Sequence, residues 1–315
     1  MPANFVKGKL VRRRSFATVA VLGAGLLLAA CAQESSSTSS TSAAAPASSS
    51  AAASSASEAS PSASADECSK ERLATLNSGK LTIGTDSPAY PPYFADDDPK
   101  NGKGFESAVA YAVADGLGFT SDEVEWVTVP FNKSYAPGEK DFDFDINQIS
   151  ITEKRKKAVD FSDGYYTVNQ AVVALKDSPI ANATTLAELQ AANLGAQVGT
   201  TSLDFINEVV KPAAQAQVYN DTNDAKSALQ NGQLDGIVVD LPTAYYITAV
   251  ELPKGKIVGQ FPAVEGGEQF GLLFAKGNPL VTCVNKVLGE LKSSGELQAI
   301  QDQWLAGESA PYIKN

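Results

Sequence analysis

Hydrophobic and polar positions alternate between two periods along the chain after about residue 80. Short apolar runs predict strands, and apolar residues spaced by three and four predict helices. The predicted strands cover 80–85, 123–129, 142–147, 170–176, 194–198, 215–219, 234–239 and 269–275. The predicted helices cover 104–117, 201–210, 221–231, 281–291 and 297–304.

This order of strands and helices predicts an α/β fold with mostly parallel sheets flanked by helices. The patterned region runs from about residue 66 to the end, about 250 residues. That length exceeds the usual size of a domain with one hydrophobic core, so we expect two lobes.

The first 30 residues have a different pattern. Five cations and no acid precede an apolar run from about Phe16 to Ala30, which is too short for a comfortable membrane span. A basic block before such a run is typical of a secretory signal. The run ends Leu28-Ala29-Ala30-Cys31, the processing pattern of bacterial lipoproteins. We therefore predict a signal peptide over 1–30 and lipidation at Cys31; the alternative is a signal anchor with a chance cysteine.

Residues 31–65 follow as a segment composed almost entirely of Ser and Ala. Such a composition cannot bury enough apolar surface to offset the entropy of ordering, so it predicts a flexible tether. No later stretch reaches 18 consecutive apolar residues. We expect the protein on the outer face of the cytoplasmic membrane, held by the lipid at Cys31.

The net charge and the number of cysteines limit the partners and the covalent links that we expect. Removal of residues 1–30 changes the formal net charge from −11 to −16, which disfavours nucleic acid as a partner. Besides Cys31, the chain contains Cys68 and Cys283. An even pair in an exported protein predicts one disulfide, with two free buried thiols as the alternative.

Several short motifs follow one another in a characteristic order. They are GTDSPAYPPY at 84–93, GKGFE at 102–106, SITEKR at 150–155, VDFSDGYY at 159–166, GTTS at 199–202 and NGQLDGIVVD at 231–240. Together they resemble the amino-acid-type extracellular solute-binding proteins of ABC importers, bacterial family 3, over about residues 70–308. The resemblance implies the type II periplasmic-binding-protein fold, in which two hinge strands join two α/β lobes around a ligand cleft.

The resemblance also implies domain limits and partners. The first part of lobe 1 is expected at 66–170, lobe 2 at 171–267 and a return segment of lobe 1 at 268–315. The expected partners are a small ligand, most simply an amino acid, and an ABC permease with its ATPase. The protein is expected to act as a monomer without cofactor or metal.

An amino acid carries a carboxylate and an ammonium, and both must be paired if they are buried. Arg suits a carboxylate because its guanidinium donates two parallel hydrogen bonds. After residue 30 the chain has only Arg72 and Arg155, and the resemblance places Arg155 on the ligand carboxylate. The alternative is a surface arginine among the neighbouring lysines.

The resemblance assigns the other ligand contacts as well. Ser150, Thr200 and Thr201 are expected to contact the carboxylate, although Thr200 and Thr201 are also placed to begin a helix. Asp240, at the end of a buried strand, is expected to bind the ammonium, with a helix N-cap as the alternative. The ligand side chain is expected to contact Asp86, Tyr90, Phe131 and Gln148. Asp86 together with the rings of Tyr90 and Phe131 favours a ligand with a cationic or polar side chain.

The main rival is a dehydratase-like enzyme on the same fold, which acts on a small carboxylate. The sequence contains no His, and both cysteines of the patterned region are expected to be bridged. The usual neutral-pH base and the thiol nucleophile are therefore missing, although Asp86 or Glu106 could serve as a carboxylate base. A receptor for transition metals is disfavoured for the same reason. A sensor domain is disfavoured because no output domain follows.

Overall fold

The computed structural model describes residues 67–262, 267–305 and 310–315. The predicted signal peptide, Cys31 and the predicted tether lie outside these residues. Within the described ranges, no helix is both long enough and apolar enough to cross a membrane.

The first sheet is built from strands of the first and the last part of the described chain. Its strands lie in the order β2-β1-β3-β12-β4. They are β1 (Leu81–Thr85), β2 (Val124–Thr128), β3 (Phe144–Asp145), β4 (Val159–Phe161) and β12 (Leu273–Ala275). β1 pairs in parallel with β2 and β3, whereas β12 runs antiparallel to β3 and β4.

Three helices cover one face of the first sheet: α1 (Phe105–Gly116), α7 (Leu280–Ser294) and α8 (Glu296–Leu305). Val109 of α1 and Val284 of α7 are fully buried with Ile83 and Phe274 of the sheet. A short helix, α2 (Phe131–Ser134), lies in the segment that covers the opposite face.

The second sheet has the order β10-β6-β9-β7-β8. Its strands are β6 (Gln170–Leu175), β7 (Leu194–Gln197), β8 (Gln217–Tyr219), β9 (Gly236–Asp240) and β10 (Gly255–Gln260). Successive residues of β6 enter different cores, Val172 on one face and Val173 on the other. A strand buried on both faces is apolar at every position, which explains the continuous run in the sequence.

Four helices accompany the second sheet. They are α3 (Leu186–Leu189), α4 (Thr201–Phe205), α5 (Thr222–Gln230) and α6 (Leu241–Tyr246). α4 and α6 each continue as a wider π-type turn, over Ile206–Val210 and Ile247–Glu251.

A separate two-stranded ladder connects the sheets. β5 (Tyr166–Val168) lies between β4 and β6 in the chain, and β11 (Glu268–Phe270) lies between β10 and β12. The two strands pair antiparallel, with Glu268 opposite Val168. The chain therefore passes from the first sheet to the second and back through one ladder, as the two-lobed fold predicts.

The structure differs from the predicted elements in three respects. Each sheet contains two parallel and two antiparallel pairs rather than mostly parallel ones, because the strands next to the ladder, β6 and β12, run against their neighbours. The predicted strand 269–275 is two strands, broken at Gly271, where an added Cβ would lie 2.8 Å from the Ile151 side chain. The predicted strand 142–147 is reduced to β3.

The two ends of the described region are both fastened. Cys68 and Cys283 form a disulfide with an S–S distance of 2.07 Å, which confirms the predicted bridge. Residues 310–315 lie against the second sheet, where Ile313 donates its backbone N–H to the Gln260 carbonyl at 2.8 Å. The tail was predicted to belong to lobe 1, and this is wrong because nothing in six residues indicates which sheet they pair with.

Candidate functional site

A cavity of about 80 Å³ lies between the two sheets. A single water needs roughly 10–15 Å³ by the same measure, so the space admits several ligand atoms. Both lobes contribute to its wall: Asp86, Tyr90, Phe131, Asn147 and Gln148 from the first, and Gln197, Thr200, Thr201, Ser202, Thr222, Asp240 and Thr243 from the second. Of the predicted ligand contacts, Ser150 and Arg155 do not line this cavity.

Asp240 is the last residue of β9 and faces the cavity. Its Oδ1 accepts a hydrogen bond of 2.7 Å from Gln170 Nε2. Although α6 begins at the next residue, the Asp240 side chain makes no capping bond to the described residues of that helix. The pKa of Asp240 is raised well above its usual range, mainly by burial and secondly by the charge of Glu268. The carboxylate is thus held towards the cavity instead of serving as an N-cap.

Arg155 is buried, with 6% of its surface exposed, whereas Lys154, Lys156 and Lys157 beside it are exposed. Its Nη1 donates to the Ser150 carbonyl at 2.7 Å, and its Nη2 donates to the Gly199 carbonyl of the second lobe at 3.0 Å. Burial lowers its pKa. These contacts are inconsistent with a solvated lysine-rich face.

Two aromatic rings cover the Arg155 guanidinium. Its centre lies 5.5 Å from the Phe131 ring and 4.7 Å from the Tyr135 ring. The Tyr135 hydroxyl also donates to the Gly199 carbonyl at 3.4 Å, so Tyr135 contacts both lobes. Arg155 lines a recess next to the main cavity, and Thr201 belongs to the walls of both.

The predicted hydroxyl residues lie around this junction. Ser150 is buried, and its Oγ lies 3.4 Å from Thr201 Oγ1. Thr200 is the N-cap of α4, since its Oγ1 accepts from the Leu203 N–H at 3.1 Å. The helix-capping alternative therefore applies to Thr200, which also lines the cavity.

The first-lobe residues are fixed by their own partners. Asp86 accepts from the backbone N–H of Ser87 at 2.7 Å and of Phe131 at 3.2 Å. The Tyr90 hydroxyl bonds to Asn223 of the second lobe. Burial is the main reason that the pKa of Tyr90 is raised to about 12, and the charge of Asp221 adds to it.

Gln148 has a left-handed backbone, with φ 48°. Its N–H and its side-chain amide both donate to the fully buried carboxylate of Glu106, which also accepts from the Tyr165 hydroxyl. Burial raises the pKa of Glu106 to about 7, and these donors oppose the shift. Glu106 thus holds Gln148 in a conformation that few residues other than Gly adopt.

Several polar groups at the site were not predicted. Glu268 accepts from Ser150 Oγ and from Gln170 Nε2, and Tyr135 covers Arg155. One signal in the sequence could have indicated Gln170: a polar residue begins an otherwise apolar, buried strand. No comparable pattern marks Glu268.

Some buried polar atoms near the first-lobe strand ends have no hydrogen-bond partner among the described residues. They are Thr85 Oγ1, both carboxylate oxygens of Asp145, and Asn147 Nδ2. Within the same residues, no group of three or more acidic, Cys or His side chains is placed to hold a metal ion.

Two relatives with amino-acid ligands in their names resemble the chain. It is 28% identical over 232 residues to the arginine-binding extracellular protein ArtP of Bacillus subtilis (strain 168), which covers 73% of this chain and 87% of the relative. A solved structure of an ancestral arginine-binding protein bound to glutamine is 31% identical, with a TM-score of 0.62; the match covers 73% of this chain and 99% of that one.

A third relative bears on the rival function. The ancestral amino acid-binding protein AncCDT-1, a precursor of cyclohexadienyl dehydratase, is 30% identical with a TM-score of 0.58 over 72% of this chain and 95% of that one. Residues 81–307 match the family of bacterial extracellular solute-binding proteins, family 3. Because this match spans most of the sequence, the chain belongs to the bacterial extracellular solute-binding proteins, family 3.

Proposed function

We propose that the protein is the substrate-binding component of an ABC importer and that it binds an amino acid in the cleft between its lobes. One observation carries the proposal: a buried guanidinium of the first lobe, Arg155, and a part-buried carboxylate of the second, Asp240, line adjoining spaces at one interlobe junction. A zwitterion offers each of them an opposite charge, whereas a neutral solute offers neither. Relatives named for arginine and glutamine support an amino acid as the ligand.

The proposed contacts follow from the donors and acceptors. Arg155 has five N–H groups, two of which bond to backbone carbonyls, so others can reach the ligand carboxylate together with Ser150 and Thr201. The ammonium then meets Asp240. The ligand side chain points to the first lobe, where Asp86, Tyr90, Phe131 and Gln148 form the wall and favour a cationic or polar group.

Binding is proposed to be coupled to closure of the lobes. The ligand contacts both lobes only when they are closed, and this difference in contacts stabilises the closed state. The β5–β11 ladder is the proposed hinge, because both passages of the chain between the sheets run through it. The closed form would then dock on a permease whose ATPase partner drives uptake.

The rest of the chain is proposed to keep this domain at the membrane. Residues 1–30 would be removed as a signal peptide, and a lipid on Cys31 with a tether over 31–65 would hold the domain outside the cell. Lobe 1 would comprise 66–170 and the return from 268 to the end of α8, and lobe 2 would comprise 171–267 together with the tail 310–315. We propose that it works as a monomer.

A screen by isothermal titration calorimetry tests the function. The purified protein is titrated with the twenty amino acids and with small carboxylates, and the solution is checked for products by chromatography. Saturable binding without product supports a receptor. Product formation from a carboxylate would support the dehydratase-like alternative, which the relative AncCDT-1 makes worth testing.

The Arg155→Ala variant tests the site. We expect it to weaken amino-acid binding by about 2–5 kcal/mol, because the ligand carboxylate loses its charged partner in a desolvated position. Arg72→Ala is the matched control, since Arg72 is exposed in the turn 70–72. Circular dichroism would verify that both variants fold, and an unchanged affinity of a folded Arg155→Ala would remove the proposed site.

A further inference from the structure

Glu268 lies on β11, one of the two strands that connect the lobes, and its carboxylate has a partner on each side. One oxygen accepts from the Ser150 hydroxyl, which belongs to the first lobe. The other accepts from Gln170 Nε2, at the start of the second lobe, at 3.0 Å. A single side chain on the connecting ladder is therefore bonded to both lobes.

Gln170 extends this connection to the cavity. The same Nε2 donates to Asp240 Oδ1 at 2.7 Å, and the Ser202 hydroxyl donates to Gln170 Oε1 at 2.6 Å. The amide therefore presents its NH₂ group to the oxygens of Asp240 and Glu268 and its carbonyl oxygen to the Ser202 hydroxyl. A continuous chain of hydrogen bonds thus runs from Ser150 through Glu268 and Gln170 to Asp240.

This arrangement brings two carboxyl groups to one amide nitrogen. The positive charge of Arg155 interacts with both carboxyl groups. Asp240 also interacts electrostatically with Glu106 and with the hydroxyls of Tyr93 and Tyr166. Two like charges at such a position do not both ionise readily, and one of them tends to keep a proton. Burial and the charge of Glu268 both raise the pKa of Asp240, in agreement with this expectation.

We propose that Glu268 is a positioning residue for the ligand, which ties Ser150 to Asp240 across the hinge and whose charge helps to keep on Asp240 a proton that the ligand ammonium displaces. The inference rests on the proposed amino-acid function. In the unliganded protein the pair carries one proton and one negative charge. When the ammonium reaches Asp240, that carboxyl ionises fully, and its proton leaves to the solvent buffer.

Two substitutions distinguish the hydrogen bonds of Glu268 to Ser150 and Gln170, here called the tie, from its negative charge. In Glu268→Gln the amide can accept from Gln170 and donate to Ser150, so the tie is kept while the negative charge is lost. In Glu268→Asp the charge is kept, but the shorter side chain cannot span both partners. Glu290→Gln, on an exposed position of α7, is the matched control.

Calorimetry with L-arginine and L-glutamine, each in two buffers of different ionisation enthalpy, counts the protons released. Below the apparent pKa of the pair we expect the wild type and Glu290→Gln to release about one proton per ligand, with affinity rising about tenfold per pH unit. Glu268→Gln should release clearly fewer protons, and its affinity should rise less steeply with pH, because only burial then raises the pKa of Asp240. Glu268→Asp should keep the proton release but bind at least about tenfold more weakly, because Ser150 or Asp240 loses its support. Equal proton release by the wild type and Glu268→Gln would overturn the inference.

A measurement without ligand keeps the test independent of the proposed function. A carboxyl whose pKa is raised on folding makes the folded protein less stable as pH rises from the ordinary carboxyl pKa to the raised one. The wild-type melting temperature should therefore fall across that range more than that of Glu268→Gln. If the two show the same pH dependence, Glu268 does not help to keep the proton on Asp240, and the inference fails even if both probes bind. If neither probe binds but the pH dependences differ, the proposed ligands fail and the effect of Glu268 on the Asp240 proton stands.

Discussion

Asp145 on β3 is a fully buried carboxylate with no hydrogen-bond donor among the described residues. It faces Gly84, where an added Cβ would lie 2.6 Å from the Asp145 Oδ2 atom. Burial, followed by the charges of Glu106 and Asp86, raises the pKa of Asp145 well above its usual range. The ionised form of this residue is therefore unfavourable in the folded protein.

We expect Asp145→Asn to raise the free energy of unfolding by about 1–3 kcal/mol at pH 8, because Asn has the same shape and no charge to bury. The pKa of Asp145 is higher in the folded than in the unfolded state, so the wild type loses stability as pH rises from about 4. The gain should accordingly shrink towards pH 4. Urea unfolding at both pH values, with the exposed Asp177→Asn as control, measures it. A gain that does not change with pH would contradict this account.

Site residues could be located from the sequence where they belong to a short motif. The location of Arg155 and Asp240 at the interlobe junction was predicted from their motifs, and their roles with a ligand stay a prediction. Glu268 could not be found this way, because its partners Ser150 and Gln170 are 118 and 98 residues away in sequence. Such contacts depend on how two lobes and a ladder are arranged, which local patterns do not contain.

At the scale of elements, the Cys68–Cys283 bridge joins the start of the described chain to α7, across a sequence separation of 215 residues. Cys283 is buried in the core that α1, α7 and the first sheet share. A loop of this length restricts the unfolded chain strongly.

We expect the double variant Cys68→Ser, Cys283→Ser to lower the free energy of unfolding by about 2–5 kcal/mol, mainly through the greater entropy of the unfolded state. Guanidinium unfolding with and without a reductant measures the effect. The reductant should destabilise the wild type and leave the double variant unchanged. A wild type that is insensitive to reduction, with the thiols shown to be free, would be inconsistent with a stabilising role.

The long elements were predicted well and the short ones poorly. α1 and α7 show a clear helical period, and β6 and β9 are buried on both faces, so each is visible as a pattern. β5 and β11 have three residues each, which is too short for a period to appear. Their pairing exists because the two passages between the lobes meet, and that is a property of the tertiary fold.

For the whole molecule, the chain makes a further contact with the second lobe after α8, through residues 310–315. Ile313 is 1% exposed and packs in one core of the second lobe, whereas Tyr312 beside it is 56% exposed. The backbone of this tail bonds to Gln260 and to Thr184. The last residues thus contribute to the stability of a lobe that is otherwise built from the middle of the sequence.

We expect Ile313→Ala to destabilise the protein by about 2–5 kcal/mol, as removal of a fully buried Ile side chain usually does. Tyr312→Ala is the matched control and should change stability little. Thermal unfolding of the three proteins measures the difference. Equal melting temperatures for Ile313→Ala and the wild type would show that the tail is not part of the core in solution.

The two-lobed architecture itself could be predicted, because about 250 patterned residues exceed one core and the motifs occur in a known order. The tail could not, since six residues show no period. The closed arrangement of the cavity, with Tyr90 bonded to Asn223 and Tyr135 to Gly199, also needed the structure.

The bridge at Cys68 has a mechanical consequence. Any tension transmitted along the preceding residues, such as drag on a domain tethered to a membrane, enters the fold at the covalent link to α7. The point of attachment thus lies in the first lobe, at a covalent link, and not on β5 or β11. A proposed hinge at that ladder would therefore be separate from the place where the pull enters.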